Sequence, residues 1–204
     1  MKEYLFFIIL FVCFSHYGYG QIGYGLTAKT ELYSRYSNPP DDISSPSAGS
    51  ALLNIGLGPK LWFGIGDFAI SPEAAVIFSP LALSSGEYKG LGALSFPIMV
   101  KMQFQGLSNF NRDGKFGFSI GGGVQYTRTE LFGLKDELAE AGVTRGYFKT
   151  YVVEADFGFG LSGFNLHGLI RYGFNRDISA NTISIGVGYD FNIPCLKEAL
   201  DSEF

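Results

Sequence analysis

The 204-residue sequence predicts an all-β fold, an eight-stranded antiparallel up-and-down transmembrane β-barrel, and three observations carry that prediction. Apolar and polar residues alternate with period two in about eight separate runs. Most runs hold 10 residues or more, whereas strands of water-soluble domains average ~5–6 and strands that cross a bilayer need ~9–11. The connections between runs alternate between long and short, as they do in barrels whose two ends face different compartments.

Composition points the same way. Hydrophobic residues make up 47% of the chain and charged residues only 17%, against about 25% charged in a typical soluble domain. The chain holds 28 Gly, 20 Phe and 12 Tyr. A net charge of −4 without a basic face speaks against a nucleic-acid partner.

Residues 1–20 read as a signal peptide. Lys2 and the amino terminus supply the positive end, and Tyr4 to Phe14 form an apolar run too short to span a bilayer, which takes ~18 residues or more. Gly18 and Gly20 sit at −3 and −1 of a cleavage point before Gln21. An uncleaved anchor and lipidation at Cys13 are the alternatives. Bulky Val12 stands where a small residue should precede a lipidated cysteine. Past residue 20 only Cys195 remains, which leaves no internal disulfide and no cysteine pair for a metal.

The alternating runs lie near 21–33, 52–64, 68–79, 91–105, 115–127, 147–161, 164–175 and 182–193, so the barrel is expected over 21–193. The last run shows the pattern best: Ile183, Ile185, Val187, Tyr189, Phe191 and Ile193 share one face, and Ser184, Gly186, Gly188, Asp190 and Asn192 the other. Long polar connections fall at 34–51, 80–90 and 128–146, and tight turns at 65–67 and Ser162-Gly163. The link at 106–114 is too long for the short-turn side. Residues 194–204 form a short periplasmic tail in which Leu196, Ala199 and Leu200 allow one or two helical turns.

Alternation alone does not say which face meets lipid, and three features turn the apolar face outward. The polar faces are crowded with glycine, including Gly23, Gly25, Gly56, Gly58, Gly121, Gly123, Gly158, Gly186 and Gly188. A narrow lumen needs small residues, whereas a solvated strand gains nothing from them. The strand charges share that face and nearly balance: Lys29, Lys60, Lys101 and Arg171 against Glu31, Glu73, Glu154, Asp156 and Asp190. Charges in a lumen must pair, so these nine are expected to form a lumen charge network. On the apolar faces, aliphatics fill the middles and aromatics collect at the ends. Phe63, Phe68, Phe104, Phe116, Phe159, Phe164 and Phe191 mark one rim, and Phe78, Tyr126, Tyr151, Tyr172 and Phe174 the other. A soluble secreted sandwich with an aromatic core is the competing fold.

Trp62 falls on the polar parity, which a bulge at Pro59 would correct; Pro72 and Pro97 also sit inside strands and predict local bulges. Within 130–141, Leu131, Leu134 and Leu138 recur at helical spacing with acidic and basic residues opposite, predicting a short helix in an extracellular loop.

One stretch is similar to a known family. Leu91 to Phe104 places Pro97 between Phe96 and Ile98 and then Lys101, the glycine-rich Phe118 to Tyr126 follows, and Ile70-Ser71-Pro72-Glu73 precedes. This succession resembles the PorT-like outer-membrane β-barrel family of Bacteroidota. The resemblance implies a small barrel of the Gram-negative outer membrane. Most members are recognised as barrels without a known activity, and the name-giving member is similar to a factor linked to protein secretion across the envelope.

No catalytic, metal or cofactor site emerges. His167 is the single histidine after residue 20. It lies on the lumen face without a serine in its strand, so it reads as a lumen hydrogen-bonding group rather than part of a lipid-modifying hydrolase. Glu154 and Asp156 share a face and read as partners of the lumen cations rather than as a Ca²⁺ or acid–base pair. The expected function is that of a small outer-membrane barrel with a structural or interaction role, not an enzyme, its lumen closed by glycines and charges. Outer-membrane lipid is its expected neighbour. A second reading uses the loops at 34–51 and 128–146 to bind an extracellular ligand, or makes the barrel a secretion-associated partner of an extracellular or periplasmic protein.

Overall fold

The computed structural model describes residues 20–40, 48–85, 91–110, 113–132, 136, 140 and 146–201. Nine strands form one antiparallel sheet: β1 (Gln21–Ser37), β2 (Ala48–Ile65), β3 (Phe68–Ala74), β4 (Val76–Ser85), β5 (Leu91–Gln105), β6 (Lys115–Phe132), β7 (Phe148–Leu161), β8 (Phe164–Asn175) and β9 (Ala180–Asn192). β3 and β4 are two halves of one stave, parted only at Ala75. Both halves pair with β2 and with β5. Each stave pairs with its sequence neighbours, and β9 returns to pair with β1 over Gly25↔Asn192 to Ser37↔Asn181. The result is a closed up-and-down ring of eight staves, which leaves no open sheet edge. The eight staves coincide with the eight alternating runs of the sequence.

Several staves are longer than a bilayer requires. β2 and β6 each have 18 residues and β1 has 17, against the ~9–11 that suffice. The extra length lies on the long-connection side. β1 and β2 stay paired as far as Ser37↔Ala48, so the connection expected at 34–51 shortens to 38–47. β6 likewise runs on to Phe132, paired with Leu91. Leu131 is therefore a strand residue rather than part of a helix. Leu134 and Leu138 lie outside the described residues, although Asp136 and Glu140 are helical. The signal-peptide reading also falls outside them, apart from Gly20.

The prolines do not mark bulges. Register runs unbroken through Leu26↔Pro59, Pro72↔Val100 and Pro97↔Gln125. At Pro97 the missing N–H costs one rung, so Ala75 opposite is not paired on both sides. Ala75 N–H still donates to the Pro97 carbonyl at 3.0 Å. The irregularities fall instead toward the long-connection rim, between Glu31 and Tyr33 on β1, between Ser79 and Leu83 on β4, and between Leu91 and Ala93 on β5. Leu53 and Glu130 there take positive φ of 54° and 57°. Each irregularity lets inward–outward alternation restart one residue out of phase.

Inside and outside differ sharply. The outer wall is aliphatic at mid-height, with Leu57, Ile98, Val100, Ile120, Val153 and Ile170 exposed. Toward the short-turn rim Phe68, Phe104 and Phe118 form a ladder with centroids 5.4 and 4.7 Å apart, and Phe164 meets Phe191 at 5.4 Å. Toward the other rim Tyr151, Phe174 and Tyr172 are neighbours at 6.4 and 6.0 Å.

The interior is packed by opposing a large side chain to a glycine. Lys29 faces Gly56 on one side and Gly188 on the other, Trp62 faces Gly23, and His167 lies between Gly158 and Gly188. A Cβ at Gly158 would stand 2.1 Å from the Leu166 carbonyl oxygen and 2.4 Å from the His167 Cα. Outward-facing Gly168 has nothing nearer than 3.8 Å. Gly158→Ala is therefore expected to lower stability by about 1–3 kcal/mol through overpacking, while Gly168→Ala leaves it nearly unchanged. Urea unfolding midpoints of the two variants in detergent check this, and equal midpoints would count against the packing rule.

Candidate functional site: a charge network across the lumen

Inward parity on seven strands delivers the nine ionisable residues to one layer inside the barrel, all at most 5% exposed. Lys29 from β1 contacts Glu73 at 2.6 Å and Glu154 at 3.0 Å. Lys60 from β2 bridges Glu73 and Asp190, both at 2.8 Å. Lys101 from β5 meets Glu73 at 3.3 Å, Asp156 at 2.8 Å and Glu154 in a close contact. Arg171 from β8 donates through Nε to Glu154 at 2.5 Å and through Nη1 to Glu31 at 2.8 Å. Every one of the nine is linked to the rest through these contacts, and every carboxylate touches at least one cation. Glu154 alone serves Lys29, Lys101 and Arg171. Asp156 is held by Lys101 and Ser119 through one oxygen, and no group of three metal-ligating side chains occurs among the described residues.

Neutral side chains extend the network, and sequence reasoning did not single them out. Asn54 donates to Glu31 at 3.0 Å and to Ser34 at 2.9 Å. Gln125 accepts from Arg171 at 3.3 Å and donates to Thr127 at 3.0 Å, and Ser119 donates to Asp156. Their inward parity was the available signal. On the long-connection side of the charges, Glu31, Ser34, Asn54, Gln125, Thr127 and Ser184 line a cavity of ≈ 20 Å³, room for about one water molecule.

Below the charges lies a floor. The link at 106–114, too long for a turn, folds inward as a 3-10 turn, Gly106–Ser108. Leu107, Ser108 and Asn109 are buried. Ser108 donates to the Gly66 carbonyl at 2.5 Å, Asn165 donates to the Leu107 carbonyl at 3.1 Å, and Asn192 to that of Asn109 at 3.2 Å. The segment thereby ties the β2–β3 turn to β8 and β9 across the barrel mouth. Gly106 allows this, because a Cβ there would sit 1.9 Å from the Lys115 carbonyl oxygen.

Two lumen residues behave differently from expectation. Trp62 is fully buried inside the barrel, with Lys60 Nζ 5.6 Å from its ring centroid. No re-phasing occurs at Pro59, and the register there is unbroken. His167 is buried in the lumen, yet neither ring nitrogen has a hydrogen-bond partner among the described residues, so its place rests on packing between glycines.

Beyond the ring, helix α1 (Ile193–Asp201) follows β9 and turns the tail into nine helical residues, more than the one or two turns expected. Its Cys195 packs on the Ser162-Gly163 turn, where a Cβ at Gly163 would meet the Cys195 Cβ at 2.9 Å.

Removing one partner from a buried ion cluster strands the others without compensation. Glu154→Ala is expected to cost about 3–5 kcal/mol. Lys115→Ala, which breaks an exposed 3.6 Å pair with Asp67, should cost no more than about 1 kcal/mol. Chemical unfolding of both variants, followed by circular dichroism in the same detergent, compares them directly.

No protein-family model and no curated protein matches the chain. Solved structures similar to it include three small β-barrels. The attachment invasion locus protein Ail of Yersinia pestis aligns at 13% identity over 83% of this chain and 99% of its own, with a TM-score of 0.42. Neisserial surface protein A aligns at 10% identity over 84% and 99%, with a TM-score of 0.40. The N-terminal barrel domain of Pseudomonas aeruginosa OprF aligns at 8% identity over 85% and 100%, with a TM-score of 0.39. The likeness is one of barrel architecture.

Proposed function

We propose that this chain is a small integral protein of the Gram-negative outer membrane, exported by the signal peptide at 1–20, with a structural or interaction role and no enzymatic one. The observation that carries the proposal is the inversion of polarity: a ring whose lumen holds the buried charge network and whose outer wall is aliphatic between two aromatic rims. A soluble barrel would have the opposite arrangement. The network, the opposed glycines and the floor at 106–109 together close the lumen, so passage of solutes is not its task.

The extended hairpins favour a second reading, in which the long-connection end is a docking platform. β1, β2 and β6 continue well past the length needed to cross a bilayer, and raised, paired strands hold binding loops in place. The PorT-like resemblance supports a secretion-associated partner for that platform. Deleting residues 130–142 separates the two readings, since unchanged co-purifying partners would leave only the structural role.

The mature chain folded in detergent is expected to migrate faster unboiled than boiled on a gel, and to give no large steady conductance in planar bilayers. A protein that stays soluble and monomeric without detergent would overturn the membrane assignment. Steady conductance of porin size would overturn the closed lumen.

A further inference from the structure

Three neighbouring strands repeat one arrangement on the outer wall. On β6, Tyr126 is followed two residues toward the long-connection rim by Arg128; on β7, Tyr151 by Lys149; on β8, Phe174 by Arg176 at the start of the next turn. The parity is the same in each case: Thr127, Thr150 and Gly173 point inward, so aromatic and cation share the outer face. Tyr126 pairs directly with Lys149 and Tyr151 with Phe174. The Asn175 side chain donates to the Lys149 carbonyl at 2.8 Å, which places Arg176 beside Lys149. A shallow groove lined by Tyr172, Phe174, Arg176 and Asn181 opens alongside.

Among the described residues these cations lack protein counter-ions. No carboxylate among the described residues pairs with Arg128, Lys149 or Arg176; the nearest in sequence is Asp177, exposed on the same turn. Lys149 Nζ instead lies 4.6 Å from the centre of the Tyr151 ring. At the opposite rim Lys115 has Asp67 at 3.6 Å. Aromatic side chains of a membrane barrel settle at the headgroup level. Two further residues along a strand add about 6–7 Å, which places the backbone of each basic residue at the depth of lipid phosphates, within reach of its long side chain. Arginine and lysine are the side chains that hold phosphate oxygens through charge-assisted hydrogen bonds.

We infer that Arg128, Lys149 and Arg176 form a site on the outer wall for the phosphate groups of an anionic lipid in the leaflet at the long-connection rim. The inference rests on the membrane reading above. The aromatic row beneath the cations contacts the upper acyl chains, and the groove beside Arg176 receives part of the headgroup.

The test uses the mature chain inserted into phosphatidylcholine vesicles doped with lipid A, either bearing its phosphates or dephosphorylated. Lipid retained per barrel is measured after detergent extraction and gel filtration. The phosphorylated form should be retained roughly tenfold or more over the other, by the attraction of basic side chains at a membrane surface for anionic headgroups, and the preference should shrink as salt rises. The triple variant Arg128→Gln, Lys149→Gln, Arg176→Gln should lose it, Arg176→Gln alone should lose part, and Lys115→Gln should keep it. The gel shift verifies folding of each variant, and the single variant decides if the triple fails to fold. Equal retention of the two lipids by the wild-type chain, or an undiminished preference in the variants, overturns the inference and leaves the membrane reading intact. A chain that enters neither kind of vesicle overturns both.

Discussion

Space inside an eight-stave ring governs this molecule. Such a ring leaves room for side chains and little else, and every inward position competes for the same narrow cylinder. The chain resolves the competition pairwise: Lys60 faces Gly25, Trp62 faces Gly23, Lys101 faces Gly121 and Glu31 faces Gly186. Glycine is normally costly in a strand. Here it is the condition for placing long charged side chains, an indole and an imidazole within one layer.

The same constraint sets the electrostatics. Charges packed into a cylinder with little water must meet opposite charges at contact distance, and four cations against five carboxylates achieve this with each group shared among several partners. Sharing matters because a buried pair barely offsets its own desolvation. A carboxylate held by three cations, as Glu154 is, gains attraction from each while being desolvated once. Amides and hydroxyls such as Asn54, Gln125 and Ser119 occupy lone pairs and protons that the ions leave over. The outcome is a polar core inside an apolar shell.

Much of this was legible in the sequence because strand parity is a strict code. Once the faces were assigned, inward parity for the nine network charges followed by counting in twos, whereas Glu130, buried near the end of β6, fell in what read as a connection. Counting failed where the count itself breaks. The irregularities near Leu32, Leu53 and Glu130 restart the alternation without any proline to announce them, and the prolines that seemed to announce bulges lie in unbroken register. Trp62 looked misplaced because an indole on the polar parity reads as an error, yet its strand keeps register and the ring is buried in the lumen. The link at 106–114 was visibly too long, yet its inward fold depends on asparagines of β8 and β9 that no local pattern connects to it. Where the helical spacing of Leu131, Leu134 and Leu138 competed with strand pairing, the ladder to β5 took Leu131.

The wiring of the charge layer also bears on how the chain reaches this state. Lys29 sits on the first strand and its partners on the third and seventh; Arg171, on the eighth, reaches back to Glu31 on the first. None of these contacts can form between consecutive hairpins alone. A sheet still open between its first and last strands would keep Lys60 against Glu73 and Glu154 against Arg171 on neighbouring strands, but would leave Glu31 and Asp190 without the cations they meet across the seam. Closure of the seam between β1 and β9 supplies these remaining pairs. The charge layer thus spans the seam, and two of its ion pairs exist only in the closed ring.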